Sequence, residues 1–311
     1  MFGRPKISVA IPVYNEEGNL QELYARLSSV LKAQKLSYEI ILIDDGSTDR
    51  SLQIMTELNQ KDHQVKILSF SRNFGQMLAL SAGLDHASGE AVITMDADLQ
   101  HPPELIPELL EKWQAGAEVV NTVRKEAKGT GFSKNLSARF FYWLIGRMGK
   151  IDLPGNAADY RLLDGKVIET LRGMRERARF LRGLISWVGY KQEFVPYQAD
   201  PRFSGRTKYS FSRMLAFAMD GIASFSSFPL RLSTYLGLLI AFLSFLYILY
   251  AIYIRLFTSQ AMAGWASVLV AVLFIGGIQL IFLGIIGEYL SRVFEEVKAR
   301  PLYIVNKKIG F

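Results

Sequence analysis

Residues 91–104 read AVITMDADLQHPPE. The apolar run Ala91–Met95 stops at Asp96, Ala97 and Asp98, and Gln100, His101 and the pair Pro102–Pro103 follow. The run reads as a buried strand, and PELIPELLEKWQAG (103–116) reads as the next helix, with Pro in its first turn. Carboxylates are seldom buried unless they are paired or bound to a cation. Two of them, one residue apart, therefore mark either a solvated loop that caps the next helix or a site.

The chain on both sides of this stretch alternates strand and helix. ISVAIPVY (7–14), YEIILIDDGS (38–47), VKILSFS (65–71) and AEVVNTVR (117–124) read as strands. Between them, NLQELYARLSSVLKAQ (19–34) repeats Leu20, Leu23, Leu27 and Leu31 at helical spacing. RSLQIMTELNQ (50–60) and GQMLALSAGLDHA (75–87) also read as helices. Such alternation predicts an α/β domain with a mostly parallel sheet and helices on both faces, the Rossmann-like class. Ligands of such sheets bind beyond the carboxyl ends of the strands. Tyr14–Asn15–Glu16, Asp44–Asp45, Arg72–Asn73, Asp96–Asp98 and Arg124 all fall at those ends. No GxGxxG follows the first strand and no GxxxxGK[ST] occurs, which argues against a dinucleotide fold and a P-loop.

The last third of the chain changes character. Leu232–Ile254 carries no charge and is bracketed by Arg231 and Arg255, and a second uncharged stretch runs from Trp265 to Gly287. Each is about the twenty residues needed to cross a bilayer core. The link FTSQAMAGW (257–265) is short, so the two spans form a hairpin with both ends on one side. Arg292, Lys298, Arg300, Lys307 and Lys308 in the tail, together with a basic N-terminal region, put that side in the cytoplasm of a multi-pass membrane protein. Gly276, Gly277, Gly284 and Gly287 allow close helix contact and suggest a homo-oligomer. The expected domains are 1–208 catalytic, 209–228 juxtamembrane, 229–290 hairpin and 291–311 tail.

Composition sets further bounds. The 311 residues carry a formal net charge of +7 and no cysteine, which excludes disulfides, thiolate metal sites and a cysteine nucleophile. Met1–Lys6 runs directly into a strand, so no cleavable signal peptide is expected. Lys and Arg are scattered and no nucleic-acid motif occurs, so nucleic acid is not an expected partner. His63, His86 and His101 form no metal-ligand pattern.

In an extended segment Asp96 and Asp98 project to the same side. Two carboxylates with a nearby amide carbonyl, Gln100, are hard oxygen donors suited to Mg2+ or Mn2+, and such an ion can bridge nucleotide phosphates.

IPVYNEEGNL, IILIDDGSTD, SFSRNFGQMLALSAGL and MDADLQHPPE, in that order, resemble the family-two glycosyltransferases of the GT-A fold. NAADYRLLD, FLRGLISWVGY and RFSGRTKYSF, followed by a hairpin, are similar to the polyprenyl-phosphate glycosyltransferase group, and the two-span form to its bactoprenol glucosyltransferases. The resemblance implies an inverting, metal-dependent hexosyltransferase that modifies polyprenyl (undecaprenyl) phosphate, as in O-antigen modification. UDP-glucose is the implied donor, with GDP-mannose or another UDP-sugar as alternatives. A separate flippase would handle the product.

The same resemblance implies roles for single residues. Pro12, Tyr14, Glu16 and Asp44 would hold the nucleoside, with Asp96, Ala97, Arg124, Arg206 and Lys208 completing the nucleotide-sugar site. Asp96, Asp98 and Gln100 would bind the metal, and Asp159, Asp98 and Lys208 would be catalytic. An acid at the position of Asp159 is often taken as a general base. A lipid phosphate, with a second pKa of about 6, is already largely ionised and needs little proton removal. Asp159 is therefore expected to position substrate, or else simply to pair with Arg161.

The acceptor phosphate needs cations, and Arg124, Ser133, Lys134, Arg139 and Arg202 are the candidates. Ser133–Arg139 lies in GFSKNLSARFFYWLIGRMGK, whose Phe132, Leu136, Phe140 and Trp143 share one helical face, as in an interfacial helix or a packed helix with a basic face. Arg202, Arg206 and Lys208 form a basic loop able to close over a diphosphate or to anchor at the membrane. Phe211, Leu215, Ala218, Ile222 and Phe225 predict an interfacial helix. FLRGLISW differs from the QxxRW pattern of processive synthases, because Trp187 does not follow Arg182. A non-catalytic nucleotide-binding membrane scaffold is the remaining alternative.

Overall fold

The computed structural model describes residues 5–125, 157–177, 179–198, 227–257 and 264–311. The chain divides into two compact units. One is Met1–Ala218 together with Arg300–Phe311, and the other is Met219–Ala299.

The first unit is built on one eight-stranded sheet. Its elements begin β1 (Ile7–Val13), α1 (Leu20–Ala33), β2 (Tyr38–Asp44), α2 (Ser51–Lys61), β3 (Val65–Phe70), α3 (Gln76–His86) and β4 (Ala91–Thr94). A 3-10 turn at Pro103–Leu105 leads into α4 (Ile106–Gln114) and β5 (Val119–Arg124). β6 (Ala157–Asp164), α5 (Gly165–Gly173), α6 (Leu181–Trp187) and β7 (Gln192–Tyr197) follow, and β8 (Val305–Ile309) closes the chain. The strand order is β7-β5-β6-β4-β1-β2-β3-β8.

β1, β2, β3 and β4 form the parallel centre, in register from Ile7 opposite Tyr38 to Val13 opposite Asp44. β2 is buried along its whole length, as expected of a strand covered on both faces. α1 buries Leu20, Leu23, Leu27 and Leu31. α3 comes so close to the sheet that a Cβ on Gly83 would lie 2.7 Å from Ala10 Cβ.

Two features differ from the simple β–α reading. β6 inserts antiparallel between β4 and β5, with Thr94 opposite Arg161 and Asn121 opposite Arg161 on the other side. Because β6 runs backward, its first residues, not its last, reach the carboxyl edge of the parallel strands, and Asp159 arrives there. The tail, expected to be a separate segment, instead supplies β8, which pairs antiparallel with β3.

The second unit contains α7 (Phe228–Phe257) and α8 (Trp265–Val297), both long and apolar enough to cross a membrane. A Cβ on Gly276, Gly277, Gly284 or Gly287 would meet nothing within 4 Å. The amphipathic segment 132–143, the basic loop 202–208 and the juxtamembrane stretch 209–226 lie outside the described residues.

Candidate active site

β4 ends at Thr94, and Met95–Gln100 leave it in a bend, not as an extension of the strand. Leu99 adopts φ +63° there. The backbone N–H of Asp96 donates to His101 Nδ1 at 3.0 Å, so Nδ1 is an acceptor. His101 is buried and stacks on Tyr160 with ring centroids 5.2 Å apart. Tyr160 is anchored in turn by its hydroxyl on the Pro102 carbonyl at 2.9 Å. His101 thus clamps the bend from behind, in keeping with a structural role for it.

The Asp96 carboxylate accepts from the Gln76 side-chain amide at 2.7 Å, and Asp98 accepts from the Gln100 backbone N–H at 3.1 Å. Asp96, Asp98 and Gln100 are all half-buried. Burial pushes the Asp96 carboxyl up, and the Asp159 and Asp98 charges push it the same way, while Arg182 opposes them. Asp96, Asp98 and Asp159 thus form a cluster of carboxylates that act on one another.

Asp159 sits beside this bend and is almost fully buried. Arg182 grips it with both arms of the guanidinium, Nε on Oδ1 and Nη2 on Oδ2, each at 2.8 Å. Arg161 adds a third bond to Oδ1 at 3.2 Å. Burial would raise the Asp159 carboxyl, but the fork from Arg182 and the charge of Arg161 outweigh it and hold it down to about 2. Such a carboxylate is a poor proton acceptor near neutral pH. Its geometry suits orientation of the two guanidinium groups. Arg161 is therefore only the minor partner of Asp159, and Arg182, on α6, is the main one.

A second half of the edge is formed by the loops after β1, β2 and β3. Asp44 is buried and accepts from Ser47 N–H (2.9 Å) and from the Ser69 hydroxyl (2.8 Å). Asp45 accepts from the amides of Phe74 (2.7 Å) and Gly75 (2.9 Å), which bridges the β2 and β3 loops. Burial pushes the Asp45 carboxyl up despite those amides. Asn15 takes the Thr48 N–H at 2.8 Å, and the Glu16 N–H reaches the Ser51 hydroxyl at 2.9 Å, so the β1 loop is stitched to the β2 loop. Tyr14 is exposed beside them, while Pro12 lies within β1 opposite Ile43.

Of the residues singled out from sequence, Pro12, Tyr14, Glu16, Asp44, Asp96, Ala97, Asp98, Gln100, Arg124 and Asp159 fall at one edge of the sheet. Arg124 is exposed at the end of β5, opposite Tyr197. Ser133, Lys134, Arg139, Arg202, Arg206 and Lys208 lie outside the described residues. Three residues were missed: Arg182, Gln76 and Tyr197. Tyr197 is buried against the acid cluster; burial pushes its hydroxyl up to about 12, with Asp96 and Asp98 adding to the rise. Arg182 had a visible signal, because a lone guanidinium in an apolar seven-residue helix needs an anion.

Among the described residues, no three His, Asp or Glu side chains converge on a cation position. A Mg2+-type ion held between protein and nucleotide needs only one or two protein carboxylates, because phosphates and water complete its shell. Asp96 and Asp98, two hard oxygen donors close to one another, fit that requirement.

The α/β sheet gathers its acids on the carboxyl edge, where ligands of such sheets bind, and likeness to known proteins gives the class of transferase. Residues 8–172, just over half of the chain, match glycosyl transferase family 2, and the chain belongs to that family. Residues 228–293 match the GtrB C-terminal hairpin. The Synechocystis sp. protein described as Uncharacterized glycosyltransferase sll0501 is 50% identical over 305 residues, covering 98% of this chain and 96% of that one. The SfII prophage-derived bactoprenol glucosyl transferase of Shigella flexneri is 42% identical over 302 residues, covering 97% of this chain and 98% of that one. Glucosyl-3-phosphoglycerate synthase from Mycobacterium tuberculosis, solved with Mn2+, UDP-glucose and phosphoglyceric acid, is only loosely similar. It is 20% identical over 70% of this chain and 78% of that one, with a TM-score of 0.45.

Proposed function

We propose that the chain transfers glucose from UDP-glucose to polyprenyl (undecaprenyl) phosphate at the cytoplasmic membrane face, with inversion. The observation that carries this is the likeness to a bactoprenol glucosyl transferase over 97% of the chain, hairpin included.

In this reading a lipid-phosphate oxygen attacks the anomeric carbon, the bond from that carbon to the β-phosphate oxygen breaks, and UDP leaves. Asp96 and Asp98, with Gln100 beside them, would hold Mg2+ or Mn2+, which supplies positive charge to the departing diphosphate when bound. The acceptor arrives ionised, so no side chain has to take its proton. Asp159 fits a positioning role, fixing Arg182 and Arg161 where anionic substrates meet. Pro12, Tyr14, Glu16, Asp44, Ala97 and Arg124 are proposed to line the nucleotide-sugar site. Arg206 and Lys208 would neutralise the diphosphate, and Ser133, Lys134, Arg139 and Arg202 would meet the acceptor phosphate.

The pairing of β8 with β3 supports the hairpin topology. The chain leaves the sheet at β7 and rejoins it at β8, which supports an even number of spans between the two strands. A homo-oligomer and a separate downstream flippase belong to the same proposal.

The test is transfer of labelled sugar from UDP-glucose into organic-extractable lipid, with polyprenyl phosphate and Mg2+ or Mn2+ supplied. Label in the lipid, lost on chelation, is the expected result. Label only from GDP-mannose or another UDP-sugar corrects the donor. Silence across all donors with folded protein contradicts the reading.

A further inference from the structure

Residues 300–311 rejoin the sheet domain after α8 and run along the outer side of β3. β8 pairs antiparallel with it from Ile67 opposite Ile309 to Phe70 opposite Val305, with a bulge between Ser69 and Phe70. Just before β8, the Ile304 carbonyl accepts the Ser71 N–H at 3.1 Å. Tyr303 lies flat on the Phe70 ring, with centroids 5.1 Å apart and planes 15° from parallel. Its hydroxyl donates to Asp85 at 2.8 Å, on the same carboxylate oxygen that Arg175 holds at 2.7 Å. Tyr303 is thereby tied to α3 through Asp85, which Arg175, just beyond α5, holds in place.

What Tyr303 presses on is the support of the nucleotide half of the site. The Phe70 ring meets Phe74 edge-on at 5.6 Å. Phe74 and Gly75 supply the two amides that hold Asp45. Ser69, the residue before Phe70, supplies the hydroxyl that holds Asp44. Only residues 298–302 separate this contact from the end of α8.

We propose that Tyr303 is a positioning residue for the donor nucleotide: through Phe70 it fixes the end of β3, which holds Asp44, and the β3–α3 loop, which holds Asp45. The proposal rests on the assignment of a nucleotide to the β1–β3 loops under Proposed function. A strand without an outer partner, ending in a loop held by side chains alone, samples more arrangements. Affinity then falls with the fraction of the chain in the competent one. The segment that leaves the membrane hairpin is, on this account, also the outer wall of the donor site.

The test uses the full chain in lipid vesicles and compares Tyr303→Leu with Tyr303→Phe. UDP binding is measured by calorimetry, and donor KM, acceptor KM and kcat by transfer. Loss of both the ring stack and the hydroxyl in Tyr303→Leu is expected to weaken UDP binding and raise donor KM about tenfold, with kcat and acceptor KM within about twofold. Tyr303→Phe keeps the stack and loses only the hydroxyl, so about a threefold effect on the same two quantities is expected. Unchanged UDP affinity in every variant that folds overturns the proposal, as does a drop in thermal stability alone. Wild-type protein that binds no UDP or GDP removes the nucleotide assignment and this proposal with it. UDP binding by wild type with an indifferent Tyr303→Leu removes this proposal alone.

Discussion

Replacing Arg182 by Ala removes both 2.8 Å bonds to the Asp159 carboxylate and leaves only the 3.2 Å bond from Arg161. Breaking a buried ion pair by deleting one partner costs about 3–5 kcal/mol. The Arg182 side chain is 27% exposed, so water can enter its place, and about 2–3 kcal/mol is the better expectation. The direction agrees with the carboxyl itself, which Arg182 and Arg161 together hold down to about 2 against the effect of burial. The folded-state value lies below the unfolded one. This stabilisation is therefore complete above the ordinary carboxylate range and is lost as pH falls from about 4 to about 2. Denaturant unfolding of the full chain in detergent, followed by tryptophan fluorescence, should show the variant about 2–3 kcal/mol less stable at pH 7. The gap should narrow as the pH is lowered through that window. A double-mutant cycle with Asp159→Ala should give a coupling of at least about 1.5 kcal/mol. A variant within about 0.5 kcal/mol of wild type at pH 7, or a gap that stays constant down to pH 3, refutes the reasoning.

Asp98→Ala should lower metal-dependent transfer at least about a hundredfold, while the melting temperature stays close to wild type because the side chain is only half-buried. Transfer assays and thermal unfolding on one preparation separate the two. Chelation should stop transfer by wild type, and added Mn2+ or Mg2+ should restore it; turnover undiminished in chelator would remove the metal role of Asp96 and Asp98. Gly46 has φ +71°, and a Cβ there would lie 2.5 Å from the Arg72 carbonyl carbon. Gly46→Ala should therefore destabilise the fold by at least about 1–2 kcal/mol in denaturant unfolding and weaken UDP binding.

The parallel centre of the sheet was legible because β1, β2 and β4 are nearly unbroken apolar runs, and because Leu20, Leu23, Leu27 and Leu31 mark the buried face of α1 without ambiguity. β6 was not, since AADYRLLD carries Asp159 and Arg161 in the middle of a buried strand. Only pairing across space, with Arg182 contributed from α6, makes those charges tolerable there, and the patterning of residues 157–164 alone carries no trace of it. β7 was hidden by Glu193 and Pro196, and β8 by Lys307 and Lys308, residue types that suit the outer strands of a sheet and read as loop or tail. The same logic applies to the site. Asp96, Asp98 and Asp44 announce themselves as acids at strand ends. Gln76, Tyr197 and Tyr303 act through neighbours that are distant in sequence.

Mass spectrometry of the lipid product, after incubation of polyprenyl phosphate with UDP-glucose and wild-type protein, tests the central claim most directly. The account predicts a single new species heavier by one hexose, absent with Asp98→Ala. A ladder of hexoses would mean a processive synthase. Unmodified lipid with every nucleotide sugar, from protein that is folded and binds UDP, would contradict the account and leave a nucleotide-binding membrane scaffold in its place.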